Sequence, residues 1–149
     1  MHENKETPDP PLLVTQIGRL YRILHQGCGK IFRGKAFPLE MDQIPVILVV
    51  YYTGGLSQQD ICLSLQRDKA SVNRTVSFLG NRDMVEVIQD STDKRKTLVK
   101  LTVTGKKWAK QANTILQEFD QLLSSALTEE EREQFNRIMT KLIDSPTAK

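Results

Sequence analysis

An order of pieces between Gly55 and Gly105 limits this chain more than any other feature. Two short amphipathic helix patterns, a few residues apart, lead directly into two strand-like runs joined by a charged tip. Ser57, with Asp60 three residues on, opens the first pattern, and Asp68 opens the second. Serine and aspartate suit these positions because their side-chain oxygens take up an orphan amide of the first helical turn. Ile61, Cys62 and Leu65 share one face of the first helix, and Val72, Val76 and Leu79 form the apolar stripe of the second. Met84 to Gln89 is rich in strand formers, and Thr97, Val99 and Leu101 alternate with Lys96, Leu98 and Lys100. Helix, turn, helix and hairpin is the order of a winged helix-turn-helix. The expected fold class is therefore mainly α with a small β-hairpin wing.

That order points to DNA. The second helix shows Lys69, Ser71, Asn73, Arg74 and Ser77 opposite its apolar stripe, toward the end where a recognition helix reaches base edges. The hairpin tip carries Lys94, Arg95 and Lys96 against Asp90 and Asp93, and a planar guanidinium on a narrow ribbon suits the minor groove. Taken singly, these are an ordinary solvated helix face and an ordinary charged turn. The charge distribution joins them. Residues 66–110 carry eleven Lys/Arg against five Asp/Glu, a net +6 within a chain whose total is +3. Residues 1–65 are neutral (six of each sign), and residues 111–149 carry four Lys/Arg against seven Asp/Glu. A localised excess of this kind displaces counterions from phosphates. Membrane-surface binding would need an amphipathic helix with bulky exposed apolar residues beside it, and that segment contains none.

Around this core the chain offers helices. Residues 1–11 form a disordered tail, with Pro8 and Pro10 near its end. Leu13, Ile17, Leu20 and Leu24 mark an amphipathic helix that Gly27 and Gly29 are placed to end, and Lys30 to Leu39 follow as a connector. Asp42 caps a strongly apolar helix through Val46, Ile47, Val49 and Val50, with Pro45 in its first turn. This helix belongs at the centre of the core. From Thr102, Trp108, Ala112, Ile115, Phe119, Leu122 and Ala126 follow a helical period for about six turns, widened by Leu116 and Leu123. Thr128 with Glu131 makes a capping box before Phe135, Ile138, Met139 and Leu142. A winged helix does not need this much apolar surface for its own core. The surplus implies a second subunit. The expected organisation is one regulator domain over 12–149, with residues 39–105 as DNA-binding core and residues 12–31 and 105–144 as dimerisation helices.

Several classes are excluded. With 39% hydrophobic and 26% charged residues the composition is that of an ordinary globular domain. There is no membrane-length apolar run and no signal-peptide core at the start, which makes a cytoplasmic protein the expectation. His2 and His25 are the only histidines, and no phosphate loop, carboxylate pair or activated nucleophile appears, so neither enzyme nor cofactor is expected. His25 and Cys28 have ligand spacing, but nothing nearby completes a tetrahedral metal site. Cys62 reads as a core filler. Cys28, between two glycines, reads as an exposed thiol without a visible activating partner.

At the level of motifs, the segment resembles the DNA-binding core of the MarR family of winged-helix regulators. The likeness rests on Leu39 and Gln43, Leu56-Ser57-Gln58, Asp68 to Arg74 at the start of the recognition helix, Asp93-Lys94-Arg95 in the wing, and Leu101-Thr102 with Gly105 closing it. It covers residues 39–110 closely and the flanking helices by pattern. Two departures stand out: Asp83 replaces the usual glycine before the wing, and no arginine stands near Val87 or Ile88. The resemblance implies a homodimeric repressor on an inverted-repeat operator, contacting double-stranded DNA through Ser57, Lys69, Ser71, Asn73, Arg74, Ser77, Lys94, Arg95 and Lys96. It also implies release by a small molecule or an oxidant, acting between the helical arm and the reading head. The alternative is a winged-helix protein-interaction module, for which an exposed apolar patch around Phe78 would speak.

Overall fold

A computed structural model of the chain describes residues 12–148, so the expected tail at 1–11 lies outside the described residues. The elements are α1 (Leu13–Gly34), α2 (Ile44–Thr53), α3 (Gln58–Leu65), α4 (Lys69–Asn81), β1 (Val85–Gln89), β2 (Thr97–Leu101), α5 (Val103–Ser124), α6 (Glu129–Ile143) and a final 3-10 turn, Pro146–Ala148. The winged helix-turn-helix expected from the sequence is the fold observed.

Helix α2 is apolar on nearly every side, and the other elements wrap it. Ile44, Val46, Ile47 and Val50 are each at most 1% exposed, and burying such a side chain contributes about 1.5–3 kcal/mol. Pro45 sits in the first turn, where the missing amide would have no intrahelical partner. Gly54 ends the helix in the left-handed region, φ 76°. Against α2 pack Ile61 of α3, Val72, Val76 and Leu79 of α4, Val99 and Leu101 of β2, and Ala109, Ala112 and Ile115 of α5. The hairpin pairs Val85 with Leu101 and Gln89 with Thr97 in antiparallel register. Leu56 adds a one-residue bridge to Val99, with N···O distances of 3.1 and 2.7 Å, tying the entry to α3 onto the wing. Asp83, in place of the expected glycine, adopts φ 55° at the turn into β1, a conformation aspartate accepts better than most residues.

Four local expectations are corrected. Helix α1 does not stop at Gly27 or Gly29 but runs to Gly34, so the connector begins at Lys35 rather than Lys30. Both glycines are packing positions: a Cβ on Gly27 would meet the Phe119 ring at 3.3 Å, and Gly29 is buried beside Met41. For the same reason Cys28 is buried rather than exposed, and burial pushes its thiol pKa up. Asp42 does not cap α2; Gln43 holds the N-cap position, and its side-chain oxygen accepts from the Glu40 amide at 3.0 Å. The apolar series of α5 also outlasts its helix, which ends at Ser124, before Ala126.

Thr102 caps α5, accepting from the Gly105 amide at 3.0 Å and donating to the Asp83 carbonyl at 2.6 Å. The capping box of α6 is complete, with Thr128 and Glu131 each bonding the other's backbone amide. Helix α6 buries no residue, and the N-terminal half of α1 is equally bare.

Candidate nucleic-acid interface

The reading head is assembled around the turn between α3 and α4. Gln66 takes a left-handed conformation (φ 50°), and the Arg67 amide returns to the Cys62 carbonyl at 3.0 Å. Asp68 then starts α4 by accepting from the Ser71 amide at 2.8 Å. That backbone hydrogen bond is the first reason its carboxyl lies below the usual aspartate range. With Val72, Val76 and Leu79 locked into the core, the opposite side of α4 is fixed toward solvent. Lys69, Asn73, Arg74 and Ser77 are all exposed along it.

Two expected contacts sit differently. Ser71 is half-buried, and its hydroxyl accepts from Arg67 Nη2 at 2.6 Å. Ser57 is half-buried as the N-cap of α3, accepting from the Asp60 amide at 3.1 Å and donating to Asp60 Oδ2 at 2.6 Å. Both hydroxyls already serve the fold, which distinguishes them from the open row on α4.

In the wing tip, Asp90 Oδ1 accepts from the Thr92 hydroxyl and the Thr92 amide, both at 2.7 Å. These bonds, the hydroxyl first, hold Asp90 below its ordinary pKa. The turn closes through the Lys96 amide to the Asp93 carbonyl and the Asp90 amide to the Lys96 carbonyl, both at 2.9 Å. Lys94, Arg95 and Lys96 are exposed at its end. Arg95 Nε donates to Asp93 Oδ1 at 3.3 Å, yet its side chain is 92% exposed. A pair so open to water holds the guanidinium only weakly.

Sequence reasoning missed two arginines, which it treated only as charge. Arg67 Nη1 donates to the Asp42 carbonyl at 2.6 Å, and Arg82 Nη1 donates to the Pro38 carbonyl at 3.2 Å. The Arg82 guanidinium also lies 4.5 Å from the Phe78 ring centroid. Phe78 is half-buried against the core, and among the described residues no large exposed hydrophobic lies on α4. A cleft of about 390 Å³ opens between α2, β2 and α5, lined by Val50, Tyr51, Leu101 and three lysines, Lys100, Lys106 and Lys110. Among the described residues, no group of three or more His, Cys, Asp or Glu is placed to hold a metal ion, and no helix is long and apolar enough to cross a membrane.

No family model matches the chain. The HTH-type transcriptional repressor NicR of Pseudomonas putida is 26% identical over 132 residues, covering 87% of this chain and 84% of NicR. The Staphylococcus aureus MepR–DNA complex superposes with a TM-score of 0.79 at 25% identity, over 90% of this chain and 98% of that one. Wild-type MarR from Escherichia coli shares the fold, with a TM-score of 0.74 at 20% identity over 91% of this chain and 99% of its own. The Asp68–Arg74 and Asp93–Arg95 motifs, the helix-turn-helix and wing that carry them, and these likenesses together identify the chain as a winged helix-turn-helix protein similar to regulators of the MarR family.

Proposed function

We propose that the chain is a homodimeric, sequence-specific DNA-binding transcriptional repressor. The observation that carries this reading is the exposed row Lys69, Asn73, Arg74 and Ser77 on an α4 whose apolar stripe is seated in the core, together with a wing tip of three exposed cations. Helix α4 enters the major groove and reads base edges, Asn73 and Arg74 being the side chains with the geometry for bidentate contacts. The wing follows the backbone into the flanking minor groove. Residues 39–105 act as the DNA-binding core, and residues 12–31 and 105–144 hold two copies together so that two α4 helices face successive major grooves. The double-stranded partner is an inverted repeat. No enzymatic step is part of this reading.

Release belongs to the cleft between the α5 arm and the α2–β2 side of the head. Its lysines have no carboxylate within ion-pair distance among the described residues, and a small effector seated there would bear on both parts at once. An oxidant is the less favoured signal, because the Cys28 thiol is buried with a raised pKa.

The deciding experiment is affinity selection of the intact protein from random duplex DNA. The bound pool should converge on an inverted repeat with half-site centres about 10–10.5 bp apart. Asn73→Ala and Arg74→Ala should each cost about 1–3 kcal/mol on the selected duplex and much less on a scrambled one. A pool without convergence, or equal losses on both duplexes, would defeat the reading. A protein-interaction module would need an apolar docking face on α4. Among the described residues, that helix carries no large exposed hydrophobic.

A further inference from the structure

We propose that Arg67 and Arg82 are positioning residues: they tie both ends of α4 to the connector between α1 and α2, and do not face DNA. The inference rests on the reading of α4 as the element that contacts bases. Arg67 stands two residues before α4 and Arg82 is its C-cap. Their main-chain acceptors, the carbonyls of Asp42 and Pro38, lie 25 and 44 residues earlier in sequence, yet on one short segment. Arg67 uses both arms of its fork. Nη1 reaches the Asp42 carbonyl and Nη2 the Ser71 hydroxyl, each at 2.6 Å, joining the turn before α2 to the first turn of α4. A planar fork can hold two acceptors in fixed geometry; an ammonium cannot. Arg82 uses one nitrogen, to the Pro38 carbonyl at 3.2 Å, and lays its guanidinium over Phe78.

The segment they grip is itself firm. Leu39 within it is 3% exposed, and the Gln43 side chain bonds the Glu40 amide. Neither arginine has a carboxylate within ion-pair distance among the described residues, so both cations are committed to neutral oxygens of the fold. The apolar stripe of α4 fixes which side of the helix faces outward, but leaves tilt along the stripe to be set by its ends. Base readout tolerates little tilt, since a donor must stay within hydrogen-bond reach of its base edge. Two of the eleven cations in residues 66–110 therefore contribute to specificity through geometry and not through phosphate charge.

The test uses the full chain with Arg67→Met and Arg82→Met, which keep an apolar stem while removing the donors. Dissociation constants are measured on the selected and a scrambled duplex across a salt series. We expect at least a tenfold loss on the selected duplex, under twofold on the scrambled one, and an unchanged salt slope. A slope flattened by about one unit per subunit would mean a lost phosphate contact and overturn the proposal. So would full affinity on the selected duplex, or equal losses on both. Lysine replacements separate positioning from a general loss of folding. Arg82→Lys should restore most of the affinity, because one donor suffices, whereas Arg67→Lys should restore only part. Equal rescue at both sites would contradict the forked role of Arg67. Amide hydrogen exchange without DNA supplies the independent readout. In Arg67→Met, the connector 38–43 and the first turn of α4 should exchange faster while α2 stays protected; unchanged protection there overturns the proposal. If the unaltered protein selects no sequence at all, the DNA-reading function fails, and the exchange experiment still decides whether the arginines hold α4.

Discussion

At Gly105 a Cβ would lie 1.8 Å from the Met84 carbonyl oxygen. The contact is with backbone, so no side chain can swing away; either α5 or the strand entry must shift. Gly105→Ala should therefore destabilise the protein by about 1–3 kcal/mol or more, read from denaturant unfolding, and a midpoint equal to that of the unaltered protein would show that the junction yields freely. Arg95 poses the opposite case, a residue almost without constraint. Its pair with Asp93 at 3.3 Å on a side chain 92% exposed cannot define a single position. If it serves DNA, Arg95→Ala should weaken binding and flatten the salt dependence by about one unit of slope per subunit. Arg95→Lys should recover part, since charge persists without the planar fork. If it only braces the hairpin against Asp93, the same variant should melt earlier with its salt slope unchanged. Measuring both quantities on one variant decides between them.

Elements whose ends are set by neighbours in sequence were legible from sequence, and those set by distant packing were not. Ser57, Asp68, Thr102 and Thr128 each cap a helix within three residues of themselves, so α3, α4, α5 and α6 begin where local chemistry places them. The stripe Val72, Val76 and Leu79 needed only helical periodicity to be identified, and it is buried. The end of α1 is not legible in this way, because its glycines answer to Phe119 on α5 and Met41 in the connector, contacts that no local rule contains. Arg67 and Arg82 escaped for the same reason, their partners lying 25 and 44 residues away. The caps themselves can be tested by acid. The folded carboxyl of Asp68 lies below its ordinary value, mainly through the Ser71 amide. A lowered folded pKa means that its stabilising contribution is complete above the unfolded value near 3.9 and is lost as pH falls through the folded one. Asp68→Asn keeps a capping oxygen without a titrating proton. That variant should lose less stability than the unaltered protein between pH 5 and pH 2, roughly the window that spans a lowered aspartate. Identical acid unfolding profiles would show that the cap is not sensed as charge.

The whole molecule carries a separation of surfaces. Positive charge concentrates over residues 66–110, while residues 111–149 are net acidic, and each terminal helix exposes large apolar residues among its polar ones. Leu13, Ile17 and Leu20 on α1 are 58%, 40% and 41% exposed, and Phe135, Ile138 and Ile143 on α6 are 45%, 53% and 60% exposed. Apolar residues at helical spacing on both terminal helices leave more bare apolar area than a monomer usually keeps, and a two-fold pairing through such helices covers it on both copies at once. Sedimentation at micromolar concentration should therefore show about twice the 17.0 kDa chain mass. Replacing Leu20 and Ile138 together by aspartate places charge in the proposed interface without touching the residues packed on α2. The variant should sediment as the single chain and keep the folded head, visible as retained amide protection in α2 and α4. It should also bind one half-site with about half the salt slope of the dimer, since half the phosphate contacts remain. A variant still dimeric would place the interface elsewhere. An unaltered protein that is monomeric and binds a lone half-site would remove the inverted repeat, and the paired major-groove geometry with it.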